Sequence, residues 1–132
     1  MLVDRNGRIS GPELENHLPS RSRFRRLAPD NTLVDGPALT GYYTSYPADC
    51  EGTTVFWRDG KLLAVDTDLA GHELFAMDDS RAVIGRALLL SAGNVAISLD
   101  NEVLVFRTPL GPLAEGPWTC GEGNLQGNPL LS

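Results

Sequence analysis

The stretch VFWRDGKLLAVD, residues 55–66, decides how the chain is read. Two β-prone runs meet at Asp59-Gly60, a pair suited to the positive φ angles of a tight hairpin turn. Outward from it, HELFAM (72–77) reads as a further strand, and NVAISLDNEVLVFR (94–107) as a second hairpin turning at Asp100-Asn101. At an offset of 41 residues the two hairpins pair Asp59 with Asp100, Leu63 with Leu104 and Thr67 with Thr108. A repeat of that length suits propeller blades, but so few identities favour two independent hairpins. Between them, DDSRAVIGRALLLSAGN (78–94) reads as a helix over about 80–92, capped by Asp79 or Ser80 and closed at Gly93. Its apolar run Leu88 to Leu90 also suits a buried strand.

The flanks are less regular. GPELENHL (11–18) suits two helical turns, with Pro12 in the first turn, Glu13 and Glu15 at the positive end of the helix dipole, and Pro19 as the stop. SRSRFRRL (20–27) follows as an arginine-rich arm, and 28–53 reads as turns with short extended pieces, punctuated by proline and glycine. From Pro109 onward, glycine and proline predict irregular chain with Trp118 as its large anchor. The expectation is one domain over 1–132: an N-terminal hairpin or short helix and arm (1–27), a β core (28–108) and a tail (109–132). The fold class is mainly β, an antiparallel sheet or small barrel with one or two short helices, or α+β if the 80–92 helix forms. The expected core is Val55, Trp57, Leu63, Val65, Leu74, Phe75, Val95, Ile97, Leu104 and Phe106. Their imperfect alternation suits a closed or well-covered sheet.

Composition narrows the function. A net charge of −6 disfavours general nucleic-acid binding, because phosphate backbones reward a basic surface, and suits a basic partner. No apolar run reaches the roughly 18 residues of a membrane span, and no basic start precedes an apolar run, so a cytoplasmic location is expected. Cys50 and Cys120 lack metal-ligand spacing. Two reduced thiols are the simpler reading, and a disulfide closing the long loop between them is the other.

Four stretches carry candidate chemistry. DRNGRISGPEL (4–14) resembles the loop of an EF-hand. With Gly7 as the turn glycine, Asp4, Asn6, Ser10 and Glu13 fall at ligand positions, whereas Leu2 stands where the first carboxylate belongs. That resemblance implies a calcium-binding accessory domain; the alternative is two short strands joined at Asn6-Gly7 by a type I′ turn. DTDLAGHE (66–73) gathers Asp66, Asp68, His72 and Glu73, enough for a divalent metal or an acid/base pair, or simply a polar loop between strands. Arg21, Arg23, Arg25 and Arg26 around Phe24 suit phosphate or an acidic partner through guanidinium forks, or a solvated arm balancing the chain's own acids. No nucleophile elbow, Walker loop or dinucleotide fingerprint occurs.

Finally, ALTGYYTSYPADC (38–50) places Gly41, Tyr42, Tyr43 and Tyr46 ahead of the first strong hairpin. Gly41-x-Tyr43 followed by antiparallel strands resembles the opening of lipocalin-like small barrels, over residues 39–108. The resemblance implies an apolar ligand cavity or an accessory role rather than catalysis. The expected function is therefore a non-catalytic binding module without a cofactor. It recognises a protein partner, as an inhibitor or immunity-type protein does, or a small apolar ligand held by Tyr42, Tyr43, Trp57, His72, Arg86 or Trp118. The alternative is a small barrel enzyme working through a shaped cavity, with Arg86 or His72 as its polar group.

Overall fold

A computed structural model describes residues 2–14, 22–39, 47–77, 88–99, 102–111, 113–115 and 120, without the side chains of 12–14 and 99. Among these residues, eleven strands form three antiparallel sheets, each a meander in chain order. Sheet 1 holds β1 (Leu2–Val3), β2 (Ile9–Leu14), β3 (Ser22–Leu27) and β4 (Leu33–Leu39). Sheet 2 holds β5 (Ala48–Cys50), β6 (Thr53–Arg58), β7 (Lys61–Val65) and β8 (Gly71–Ala76). Sheet 3 holds β9 (Leu88–Leu89), β10 (Asn94–Leu99) and β11 (Glu102–Arg107). The chain is mainly β, and the described strands do not close into a barrel.

Sheet 2 is the middle layer, which explains the imperfect alternation of its sequence. On β6 and β7, Val55, Trp57, Leu62 and Ala64 pack with Leu89, Val95 and Ile97 of sheet 3. Phe56 and Val65 face the other way, against Phe24 and Leu39 of sheet 1. A sheet covered on both faces has no polar face to alternate with. Ring contacts mark both layers: Phe24 stacks on Phe56 with centroids 6.4 Å apart, and Trp57 on Phe106 at 6.0 Å. Of the expected core, Val55, Trp57, Val65, Val95 and Ile97 are buried, and Leu63, Leu74, Leu104 and Phe106 pack against them partly exposed. Phe75 is 42% exposed and lies against Phe106 at the margin.

The hairpin at 55–66 forms as read, with Arg58 opposite Lys61 and positive φ at both Asp59 and Gly60. Glu51 and Gly52 make the same kind of turn between β5 and β6. The second hairpin pairs Leu99 with Glu102; its turn, Asp100-Asn101, lies outside the described residues. β1 and β2 also pair, but through the five residues Asp4–Arg8, of which Gly7 alone has positive φ, not a type I′ turn.

Several expectations are corrected. Gly11–Leu14 continue β2 instead of starting a helix. Pro12 is tolerated there because β1 reaches only Ile9 and Ser10, leaving one side of β2 unpaired beyond them. The arginine-rich arm is β3, an internal strand with Ser22, Phe24 and Arg26 buried. The supposed turn region contains β4, seven residues long. Of the 80–92 helix, residues 80–87 lie outside the described set, and the described remainder is not helical: Leu88–Leu89 pair with β10, and Ser91–Gly93 form a 3-10 turn. Gly93 does have positive φ, but it serves this tight return, where an added Cβ would overlap the Thr108 carbonyl. Most of the tail is likewise undescribed. Cys50 and Cys120 are not joined by a disulfide and lie buried in one cluster.

Candidate functional site

The last strands of sheets 1 and 2 run close together. A Cβ on Gly71 of β8 would sit 3.3 Å from the Pro37 ring of β4, a tight contact that glycine avoids. Beside the contact is a half-open cleft of about 250 Å³. Its apolar lining is Pro37, Ala38 and Leu39 from β4 with Leu63 and Val65 from β7. At its rim Lys61 Nζ pairs with Glu73 Oε2 at 3.3 Å, and His72 Nε2 is hydrogen-bonded to Asp66 Oδ2 at 2.7 Å. The Asp66 carboxyl is held below its ordinary pKa, first by His72 and then by the backbone N–H of Ala70. That N–H and the N–H of Asp68 both donate to Asp66 Oδ1, which fixes the loop and thereby the carboxylate.

A carboxylate–imidazole pair can move a proton, but none of the described residues lining the cleft is a serine, threonine or cysteine. Of the acids and imidazole in DTDLAGHE, the fold joins Asp66 to His72 only, and Glu73 turns to Lys61. Among the described residues, no three His, Cys, Asp or Glu side chains are grouped as a metal site requires.

A second polar cluster lies where sheet 1 meets the loops of sheet 2. Arg26 is 7% exposed, and its guanidinium is spent on three acceptors. Nε donates to Ser10 Oγ at 3.1 Å, and the terminal nitrogens donate to the carbonyls of Thr67 (3.0 Å) and Gly52 (3.1 Å). Burial pushes the Arg26 pKa down. Nearby, Asp49 is buried, accepts the Gly52 N–H at 3.1 Å, and has its carboxyl raised, chiefly by burial. The crevice between Asp49, Asp4 and Arg8 is only about 50 Å³, which leaves room for a water and no larger guest. This cluster is a structural staple between two sheets.

The other candidates separate. Asp4 caps its own turn: Oδ1 accepts the N–H groups of Asn6 and Arg8, and Oδ2 accepts Arg8 Nε at 2.6 Å. Ser10 is taken by Arg26, and Glu13 lies on β2, where a calcium loop needs an exiting helix. Arg23 donates to the Gly36 carbonyl and Arg25 pairs with Asp35, so the arginines do not converge on one ligand. Trp57 is a core residue, 1% exposed, and not a pocket wall. Tyr42, Tyr43, Arg86, Trp118 and Arg21 lie outside the described residues. The cleft floor, Leu39, Leu63 and Val65, and the rim cation Lys61 were not legible as a site, because two strands of different sheets, β4 and β7, supply them. Comparison of the chain with protein-family models, with curated proteins and with solved structures gives no match.

Proposed function

We propose that this chain is a non-catalytic binding module that takes an extended, apolar and basic segment of a protein partner, one side chain of which seats in the cleft between β4 and β8. The observation that carries this reading is the make-up of the cleft: an aliphatic floor between two strand edges, with Glu73 at the rim beside Lys61 and His72 at the rim bonded to Asp66. The net charge of −6 adds long-range attraction for such a segment. At about 250 Å³ the cleft is smaller than the several hundred cubic ångströms typical of pockets that enclose a whole small molecule. It is of a size to take one side chain of a longer ligand. That favours the protein partner over the small apolar ligand.

The test is fluorescence anisotropy with two labelled peptides, one alternating leucine with lysine and one alternating leucine with glutamate. Saturable binding of the lysine peptide is expected, with the glutamate peptide at least tenfold weaker. Ala38→Trp, which fills the cleft from an exposed position, is expected to abolish the difference while leaving the unfolding temperature in place. No saturable binding of the lysine peptide, or binding indifferent to Ala38→Trp, refutes the reading.

A further inference from the structure

Among the described residues, the outermost strands of the three sheets are not alike. β1 and β9 are two residues long and β5 is three, too short to template another strand. β4 carries Gly36, Pro37 and Asp35 and is irregular against β3. β8 carries Gly71, His72 and Glu73 and is irregular against β7. Shortness, proline, charge and bulges are the devices by which sheet edges avoid other chains. β11, EVLVFR, has charges only at its two ends and none of the other devices: six residues, no glycine or proline, unbroken register with β10 from Arg107 to Glu102, and an apolar centre. Val103 is 72% exposed and Val105 60%.

The direction of its hydrogen bonds follows from the ladder. The Thr108 N–H donates to the Gly93 carbonyl, next to the Asn94–Arg107 pair. Antiparallel alternation then points the N–H and C=O groups of Val103, Val105 and Arg107 away from β10. We infer that β11 pairs antiparallel with β11 of a second copy of this chain, about a two-fold axis at Val105, joining the two copies of sheet 3 into one sheet.

A two-fold axis normal to the sheet keeps inner face against inner face, and this register satisfies it. Val105 then lies opposite Val105 of the second copy, and Val103 opposite Arg107, whose stem covers the valine. On the inner face Leu104 meets Phe106, extending the existing core contact of both residues. Val103, Val105 and Arg107 each exchange both backbone bonds across the axis. Glu102 and Arg107 leave the strand neutral, so no like charges oppose although each copy carries −6. A foreign strand would have to match this apolar alternation by chance, whereas a second copy always supplies it.

Sedimentation velocity of the full chain from micromolar to millimolar concentration tests the pairing. A reversible monomer–dimer equilibrium is expected. Val105→Pro removes an N–H that points away from β10, and Val105→Lys places a charge on the axis beside its own copy. Each is expected to weaken the dimer at least tenfold, and Val105→Lys is expected to keep the parent's circular dichroism and monomer fold. A parent that stays monomeric at millimolar concentration overturns the inference, whether or not the edge accepts an added peptide. So does a dimer that the folded Val105→Lys variant leaves intact.

Discussion

Arg26 concentrates the chain's hardest local problem, a cation inside the protein with no carboxylate bonded to it. Its stability rests on hydrogen bonds: the Ser10 hydroxyl and the carbonyls of Gly52 and Thr67 replace water at the guanidinium. Gly52 belongs to that arrangement twice, because its φ of +92° aims the carbonyl while an added Cβ would meet the Thr67 methyl at 2.8 Å. Removing the guanidinium strands buried acceptors and empties the volume it filled. Arg26→Ala is therefore expected to cost about 3–5 kcal/mol, and Arg26→Met, which restores volume without charge, less than half of that. Urea unfolding of the three proteins decides it. Equal losses for alanine and methionine would mean that the hydrogen bonds, and not the filled space, carry the contribution.

At the level of elements, the same loop chemistry recurs. Asp4 and Asp66 each accept two backbone N–H groups from the turn that follows, and each turn closes on a residue with positive φ, Gly7 in one and Leu69 in the other. For Asp4, burial works to raise the carboxyl, but the hydrogen bonds of Arg8 and Asn6 outweigh it and the pKa falls below the ordinary 3.8. A carboxyl lowered on folding stabilises the fold above its unfolded pKa, and that contribution is lost as pH drops through the lower, folded value. Asp4→Asn is expected to cost about 1 kcal/mol at pH 7. The gap to the parent should narrow as pH falls below the ordinary 3.8, as seen in urea midpoints at pH 7, 4 and 2.5. A gap that stays constant across that range would show that the charge on Asp4 contributes nothing. The elements themselves were unevenly legible. The β6–β7 hairpin announces itself because Asp59-Gly60 and its flanking β-branched and aromatic residues agree. β3 does not: its buried face holds Ser22 and Arg26 beside Phe24, so strict alternation is present but hydrophobic alternation is not. In the cleft, the Asp66–His72 pair lay within one short stretch and was readable as a cluster. Leu39 and Leu63 are brought together only by the packing of sheet 1 on sheet 2, which no local pattern encodes.

Across the whole molecule, sheet 2 is the common partner of two cores, and adjacent residues of β6 divide them. Phe56 enters the layer toward sheet 1 and Trp57 the layer toward sheet 3, because successive strand residues point to opposite faces. Each aromatic is fully buried or nearly so, and each replacement by alanine is expected to cost about 3–5 kcal/mol. The layering makes a sharper statement about pairs. Phe24 and Phe56 stack with their planes 4° apart, so their alanine substitutions share a contact and a cavity. Their double variant should differ from the sum of the singles by about 0.5–1.5 kcal/mol. Phe24 and Trp57 lie on opposite sides of sheet 2 in separate clusters, and their costs should add to within about 0.5 kcal/mol. Two double-mutant cycles by urea unfolding read both quantities. Additivity for Phe24 with Phe56, combined with coupling for Phe24 with Trp57, would be incompatible with a middle sheet packed on both faces.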